Sequence, residues 1–143
     1  MRQFDVRTPY DTSVDTLWTL LQDASLLSEL TSFPKVMLLG DGASVEGNVV
    51  QLRIGVGPIS LPWNSAITLT GNHAFCDQGV KLPFPFRRFS HVHRVEQVGG
   101  QAIMVDEVTF DSYVPAVLVE YFVLRPMFKA RAEAFRKTLN SCK

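Results

Sequence analysis

Two histidines separated by one residue, His91 and His93, have the spacing in this sequence that most readily supports chemistry. A Gly99-Gly100 pair follows them, between two runs in which apolar and polar residues alternate. Such a pair is typical of a two-residue β-hairpin, because type I′ turns require positive φ at both central positions. Pairing the two runs about this turn predicts that His93 faces Asp106 on the next strand.

The same hairpin register predicts which side chains share a face with the two histidines. His91 pairs with Val108, Phe89 with Phe110, and Val95 with Met104. These residues are mostly apolar, so we expect their face to be the concave, inward one. The opposite face is expected to be solvated, since it carries Arg88, Ser90, Arg94 and Glu96.

A His93–Asp106 pair inside an apolar pocket has three possible roles. The carboxylate favours the protonated imidazole and burial opposes it, so the pair could transfer protons, with His93 and Asp106 as the catalytic candidates. It could instead anchor a carbonyl or hydroxyl of a bound molecule. In the third interpretation, a buried polar pair satisfies itself and fixes the register of the strands.

Metal binding is a further interpretation of the same residues. His91 and His93 share a face with Asp106 nearby, and two histidines with a carboxylate form a known metal-binding set. His-x-His is nevertheless a weak signal. We therefore expect no metal and no cofactor.

Composition excludes several other classes of function. The 143 residues are 46% hydrophobic and 20% charged, which predicts one folded domain over 1–143. Lys plus Arg and Asp plus Glu both total 14, so no basic excess indicates a nucleic-acid partner.

No apolar run reaches the roughly 18 residues of a membrane span, so no membrane insertion is expected. Without a secretion signal, Cys76 and Cys142 are expected to be reduced thiols in a cytoplasmic protein.

The N-terminal part predicts one strand and one or two helices. Gln3 to Thr8 alternate as in a strand, which Pro9 and Asp11 are expected to end. Thr12 is the predicted N-cap of a helix, with Asp15 returning the bond as in a capping box. A second short helical piece is predicted from Ser25 to Leu30.

Strands and turns dominate from Val36 to Asp111. A hairpin about Gly57-Pro58 would pair Ile54 with Leu61 and Leu52 with Trp63, which brings both apolar faces together. A further strand is predicted from Ala74 to Lys81.

The C-terminal segment predicts a long helix from about Val114 to Asn140. Pro126 should kink or divide it. Val114 to Leu124 is apolar nearly all round, so this half either lines a cavity or forms a homodimer contact. The apolar stripe expected to face the sheet comprises Val117, Tyr121, Leu124, Phe128, Ala132, Phe135 and Leu139.

These elements, in the order β-αα-β6-α, predict an α+β fold. An antiparallel sheet of about seven strands is expected to curve around the long C-terminal helix, with the helices on one face.

Four segments resemble the START/SRPBCC superfamily of helix-grip proteins, which includes the birch-pollen allergen, and in particular a bacterial branch related to polyketide cyclases and dehydrases. The segments are Ser13 to Trp18 with Asp23, Leu61 to Ile67 (LPWNSAI), Pro85 to Val95 (PFRRFSHVHRV) and Val105 to Phe110 (VDEVTF). Phe89 stands where relatives often have Trp.

The resemblance implies a cavity between the sheet and the C-terminal helix that binds a small hydrophobic molecule, lipid-like, polyketide-like or aromatic. An aromatase/cyclase or dehydratase using His93 and Asp106 is one alternative. A dimerisation or interaction module without a functional cavity is the other. The ligand-binding residues implied are Trp63, Phe89, His91, His93, Met104, Asp106, Val108, Phe110, Tyr121, Leu124 and Phe128.

Overall fold

Seven antiparallel strands form one curved sheet in the computed structural model, which describes residues 1–23, 35–40, 43–56 and 58–141. The strands are β1 (Arg2–Tyr10), β2 (Lys35–Leu39), β3 (Val49–Val56), β4 (Ile59–Gly71), β5 (Ala74–Lys81), β6 (Phe86–Val98) and β7 (Gln101–Ser112). They lie in the order β1-β7-β6-β5-β4-β3-β2. The helices are α1 (Val14–Leu21), α2 (Ala116–Val119) and α3 (Arg125–Ser141), with a π-helical turn (Glu120–Leu124) between the last two. The predicted helix-grip α+β fold is confirmed.

Both predicted hairpin registers are confirmed. In β6 and β7, His93 pairs with Asp106 and Phe89 with Phe110. In β3 and β4, Leu52 pairs with Trp63 and Ile54 with Leu61. Residue 57, part of the second turn, lies outside the described residues.

The turn between β6 and β7 differs in type from the prediction. Gly99 has a positive φ of 59°, whereas Gly100 does not have a positive φ. This sign pattern is that of a type II′ turn, in which only the first central residue needs the glycine conformation.

Strand β1 is longer than its sequence pattern predicts. It continues through Pro9, which pairs with Ile103. The expected break at Pro9 is wrong because β1 is an edge strand, where the missing N–H of a proline is tolerated.

Helix α1 begins one residue later than predicted. Ser13, not Thr12, is the N-cap, and its hydroxyl accepts a hydrogen bond from the Thr16 N–H at 3.1 Å. Asp15 instead lies 3.2 Å from the imidazole of His73. The second predicted helical piece, at 25–30, lies outside the described residues.

The C-terminal helix changes its winding directly before Pro126. The π-helical turn Glu120–Leu124 ends where α3 begins, so the predicted disturbance is a widened turn. A wider turn shifts the phase of the side chains, and the buried residues of this half are Val119, Glu120 and Leu124. The predicted positions of Val117 and Tyr121 on the buried stripe are therefore wrong, since both are exposed.

The buried carboxylate of Glu120 attaches this half of the helix to the sheet. It accepts hydrogen bonds from Arg2 Nε of β1 at 2.6 Å and from Arg125 Nε at 2.7 Å. The apolar side chains around it largely face outward, and Phe122 is 76% exposed. The homodimer contact predicted for this region remains a prediction.

Two clusters of buried side chains form the core between the sheet and the helices. The first includes Tyr10, Leu17, Leu21, Val50, Ile67, Phe75, Val95, Met104, Phe135 and Leu139. The second includes Phe4, Trp63, Phe86, Phe89, Val108, Phe110, Val119 and Leu124.

Phe110 and Phe122 provide a matched test of this packing. Phe110 is fully buried in the second cluster, whereas Phe122 is the most exposed of the large apolar residues in the C-terminal helix. We expect Phe110→Ala to lower the free energy of unfolding by about 3–5 kcal/mol and Phe122→Ala by about 0.5 kcal/mol or less, measured by urea denaturation. Equal losses in the two variants would contradict the assignment of Phe110 to the core.

Candidate functional site

A cavity of about 160 Å³ lies between the sheet and the C-terminal helix, where the two core clusters meet. Most of its wall is apolar, with a polar group formed by Ser65, Asp77, His91, His93 and Arg131. Side chains from β3, β4, β5, β6 and the C-terminal helix contribute to it. The apolar lining includes Val50, Leu52, Ile54, Trp63, Ile67, Phe75, Phe89, Leu124, Met127, Phe128 and Phe135.

The structure places only part of the predicted ligand-binding set in this wall. The residues that line the cavity are Trp63, Phe89, His91, His93, Leu124 and Phe128. The lining does not include Met104, Asp106, Val108, Phe110 or Tyr121 among the described residues. Met104 belongs to the first core cluster, and Val108 and Phe110 belong to the second, so packing fills the space over β7. Tyr121 faces outward from the π-helical turn.

The carboxylate of Asp106 does not form the hydrogen bond expected from the hairpin. His91 Nε2 donates to Asp106 Oδ1 at 2.7 Å, and Arg131 Nη2 donates to Asp106 Oδ2. His93 Nδ1 lies 3.6 Å from Asp106 Oδ1, which is too long for a hydrogen bond. Although His93 pairs directly with Asp106 along the strands, the diagonal neighbour His91 reaches the carboxylate. The expected His93–Asp106 hydrogen-bonded pair is therefore corrected to a His91–Asp106–Arg131 chain.

Asp106 is ionised, and each of its two carboxylate oxygens accepts a hydrogen bond from a neighbouring side chain. Its burial raises the pKa, but the positive charge of Arg131 and the hydrogen bond from His91 outweigh this effect and hold the pKa well below its usual range. Arg131 is itself buried, and the pair joins α3 to β7 across the interior. A carboxylate held in this way, fully buried behind His91, is in no position to exchange protons with a molecule in the cavity.

His93 has a different environment although it lies two residues from His91. Burial and the neighbouring His91 lower its pKa from 6.5 to about 4, against the attraction of Asp77 and Asp106. The ring is therefore neutral near pH 7. Its Nε2 lies 3.6 Å from Asp77 Oδ2 on β5. Burial raises the pKa of Asp77, but its interactions with His93, His91 and the hydroxyl of Ser65 together outweigh burial, and the net effect is a lowered pKa.

The two imidazoles join the core clusters through stacked rings. His93 stacks on Phe75 of the first cluster, with ring centroids 4.4 Å apart and planes at 15°. His91 stacks on His93 at 3.6 Å and 26°, and meets the edge of Phe128 at 5.1 Å. This aromatic packing holds both imidazole rings in the wall of the cavity.

Sequence reasoning missed Asp77 and Arg131. Arg131 could have been found, because it lies three residues after Phe128 and four before Phe135, at helical spacing on the apolar stripe. Asp77 pairs with His91 across β5 and β6. The sequence predicts strand β5 but contains no turn that fixes its register against β6, so this pairing could not be derived.

One group of described residues has the donor atoms to hold a metal ion. Asp77, His91 and His93 each offer an oxygen or nitrogen atom, and these atoms lie within 4.8 Å of one another. Asp106, the carboxylate considered with the histidines from sequence, is not part of this group. Among the described residues, no helix is long and apolar enough to cross a membrane.

Solved structures with the same fold come from plants and bacteria. One is norcoclaurine synthase from Thalictrum flavum in complex with dopamine and hydroxybenzaldehyde, with a TM-score of 0.73, 18% identity and coverage of 99% of this chain and 88% of that one. Another is a START superfamily protein from Mycobacterium smegmatis, with a TM-score of 0.73, 12% identity and coverage of 99% of both chains. A third is major latex-like protein 151 from Panax ginseng, with a TM-score of 0.74, 9% identity and coverage of 96% of both chains.

These likenesses confirm the START/SRPBCC helix-grip resemblance at the level of the fold. No protein-family model and no curated protein sequence matches the chain. At such low identities the fold does not specify a ligand or a reaction, so both must be argued from the residues of the cavity.

The ion pair between α3 and β7 can be tested by removing its cation. We expect Arg131→Met to lower the free energy of unfolding by about 3–5 kcal/mol, because it leaves the carboxylate of Asp106 buried without its charged partner. The matched control Arg136→Met removes an exposed arginine of the same helix and should cost about 1 kcal/mol or less. If both variants unfold at the same urea concentration, the pair does not attach the helix as described.

The lowered pKa of His93 predicts a pH dependence of stability. Below pH 6.5 the unfolded chain binds a proton at this imidazole, whereas the folded chain does so only near pH 4. The unfolded state then holds more protons, so the free energy of unfolding should fall by about 3 kcal/mol as the pH drops through this window. Urea denaturation with a metal chelator present would measure it.

His93→Gln should flatten this dependence and His73→Gln should preserve it, because His73 lies outside the cavity beside Asp15. The same slope in His93→Gln and in the unmodified chain would show that His93 is not the group responsible.

Proposed function

We propose that this protein binds a small, mainly apolar molecule in the cavity between the sheet and the C-terminal helix. The observation that carries the proposal is the cavity wall, which is mostly apolar and aromatic and includes a polar group of Ser65, Asp77, His91, His93 and Arg131, with Asp23 and Ser44 as further polar lining residues. A wall of this composition is typical of small-molecule sites, where burial provides affinity and a few polar atoms orient the ligand.

The size of the cavity limits the ligand. A cavity of about 160 Å³ is close to the roughly 150 Å³ that accommodates benzene in an engineered protein core. We therefore infer a ligand of about one aromatic ring, and not a sterol or a long lipid chain. The norcoclaurine synthase of the same fold was solved with dopamine and hydroxybenzaldehyde, which are molecules of this size class.

The polar group determines where a hydroxyl or amine of the ligand would lie. The charge of Arg131 is compensated by Asp106, whereas the carboxylate of Asp77 faces a neutral imidazole. The polar end of the cavity therefore has an excess of negative charge. It should favour a hydrogen-bond donor, such as a phenol or an ammonium group, over a carboxylate.

An enzymatic alternative rests on one observation at the same position. His93 and Asp77 together could move a proton at a molecule in the cavity, because a neutral imidazole and a carboxylate both face it. In a polyketide cyclase or dehydratase reaction, these two would replace the His93 and Asp106 expected from sequence. Turnover of a phenolic polyketide analogue that is lost in His93→Gln would support this alternative.

A substitution that narrows the cavity tests ligand binding, and a matched substitution outside the cavity serves as its control. Ile54 lines the cavity, and Ile59 is 59% exposed on the neighbouring strand. We expect phenol, which has one ring and one hydroxyl, to bind the unmodified protein saturably in isothermal titration calorimetry. Ile54→Trp should weaken this binding at least tenfold, because the larger ring occupies the space, whereas Ile59→Trp should not change it.

Two results would count against the proposal. One is calorimetry in which phenol does not bind the unmodified protein saturably, and the other is equal weakening by the two tryptophan substitutions. Native mass spectrometry of the purified protein would identify a co-purified ligand independently.

A further inference from the structure

We infer that Asp77, His91 and His93 form a binding site for a divalent transition metal ion of the zinc type. The site lies in the cavity wall, on the neighbouring strands β5 and β6. Asp77 pairs directly with His91, and His93 follows two residues later on the same face. All three side chains line the cavity.

The distance between His93 and Asp77 suits two ligands of one metal ion better than it suits a hydrogen bond. His93 Nε2 and Asp77 Oδ2 are 3.6 Å apart. A hydrogen bond between these atoms would be nearer 2.9 Å, whereas two atoms bound to one zinc ion at about 2.0–2.2 Å commonly lie 3–4 Å apart. Coordination would therefore need little change in the distance between these two atoms.

Three polar atoms of this group also lack hydrogen-bond partners within the described parts of the chain. Both ring nitrogens of His93 and Oδ1 of Asp77 are buried without a hydrogen bond. His93 is only 7% exposed, so bulk water does not compensate for the missing bonds. Unsatisfied buried polar atoms are rare in native proteins and usually mark a site that an ion, a water molecule or a ligand completes.

His91 has the surroundings that a metal-binding histidine requires. Its Nε2 donates to Asp106, which in turn accepts from Arg131. A carboxylate accepts hydrogen bonds only, so the neutral ring must place its proton on Nε2 and keep the lone pair on Nδ1. A metal-binding histidine commonly donates the N–H of its other ring nitrogen to a carboxylate that does not itself bind the metal.

The donor set indicates the type of ion. Two imidazole nitrogens and one carboxylate suit zinc and the other late first-row divalent ions, whereas calcium and magnesium prefer oxygen ligands alone. Three protein ligands leave at least one coordination position open. Because all three side chains line the cavity, an oxygen or nitrogen atom of a bound molecule could serve as a further ligand.

Coordination must also change the ring stack. The ring centroids of His91 and His93 are 3.6 Å apart and the ring planes are inclined by 26°, whereas a metal ion lies close to the plane of each imidazole that binds it. One ring must turn for both nitrogens to meet the same ion. Metal binding should therefore alter the chemical shifts of both imidazoles, as well as those of Phe75, which stacks on His93.

The test uses the whole chain without a polyhistidine tag, stripped of metal with a chelator. Zinc is added in calorimetry and cobalt(II) in absorption spectroscopy, where nitrogen and oxygen ligands in a low-coordinate site give visible bands. We expect one ion per chain, and at least tenfold weaker binding in both His93→Gln and Asp77→Asn. Zinc should also raise the Tm of the unmodified chain and not that of these variants.

Two control variants separate this site from other metal-binding groups. His73→Gln removes the third histidine of the chain, whose Nε2 lies 3.2 Å from Asp15 outside the cavity. Cys76→Ser removes a free thiol of β5. Both variants should bind zinc like the unmodified chain, and circular dichroism should show that all four variants are folded.

The inference fails if the unmodified chain does not bind zinc or cobalt at micromolar concentration. It also fails if Asp77→Asn and His93→Gln, when folded, bind as tightly as the controls. Asp77 is partly exposed, so Asp77→Asn provides the test if His93→Gln does not fold. Binding of phenol to the metal-free chain is measured separately, so a failed metal test leaves the proposed ligand binding intact.

Discussion

The buried ion pair between Arg131 and Asp106 determines how the C-terminal helix lies on the sheet. A buried carboxylate without a partner would cost several kcal/mol, so the helix must present Arg131 to β7. About three helical turns earlier, Glu120 binds Arg2 of β1. The two contacts attach the helix over β1 and β7, at one edge of the sheet.

This placement explains where the interior is filled and where it is open. Over β7, Met104, Val108 and Phe110 pack tightly into the core clusters. Over β3 to β6 the interior is not completely filled, and the cavity lies there. Phe135 and Leu139 of α3 belong to one packed cluster with Val50 of β3 and Ile67 of β4, so the helix also packs toward these strands, and the cavity lies beside this packing.

The ion pair also divides the polar residues into two groups with different chemistry. Asp106 is saturated by Arg131 and His91, and it supports the cavity wall from behind. Asp77 and His93 have unsatisfied atoms at the cavity surface. A neutral imidazole beside a carboxylate can bind a ligand donor, transfer a proton or hold a metal ion, and all three roles need the rigid support that Asp106 provides through His91.

Local pattern in the sequence was sufficient for the strands, the two hairpins and their registers, because a two-residue turn and alternating side chains together determine which residues pair. It therefore predicted that His91, His93 and Phe89 share the inner face. It could not predict which carboxylate each histidine meets. That choice depends on the register of β5 against β6 and on the rotation of the helix, which is set by Arg131 and by the widened turn before Pro126. These are contacts between residues distant in sequence, and only the tertiary structure decides them.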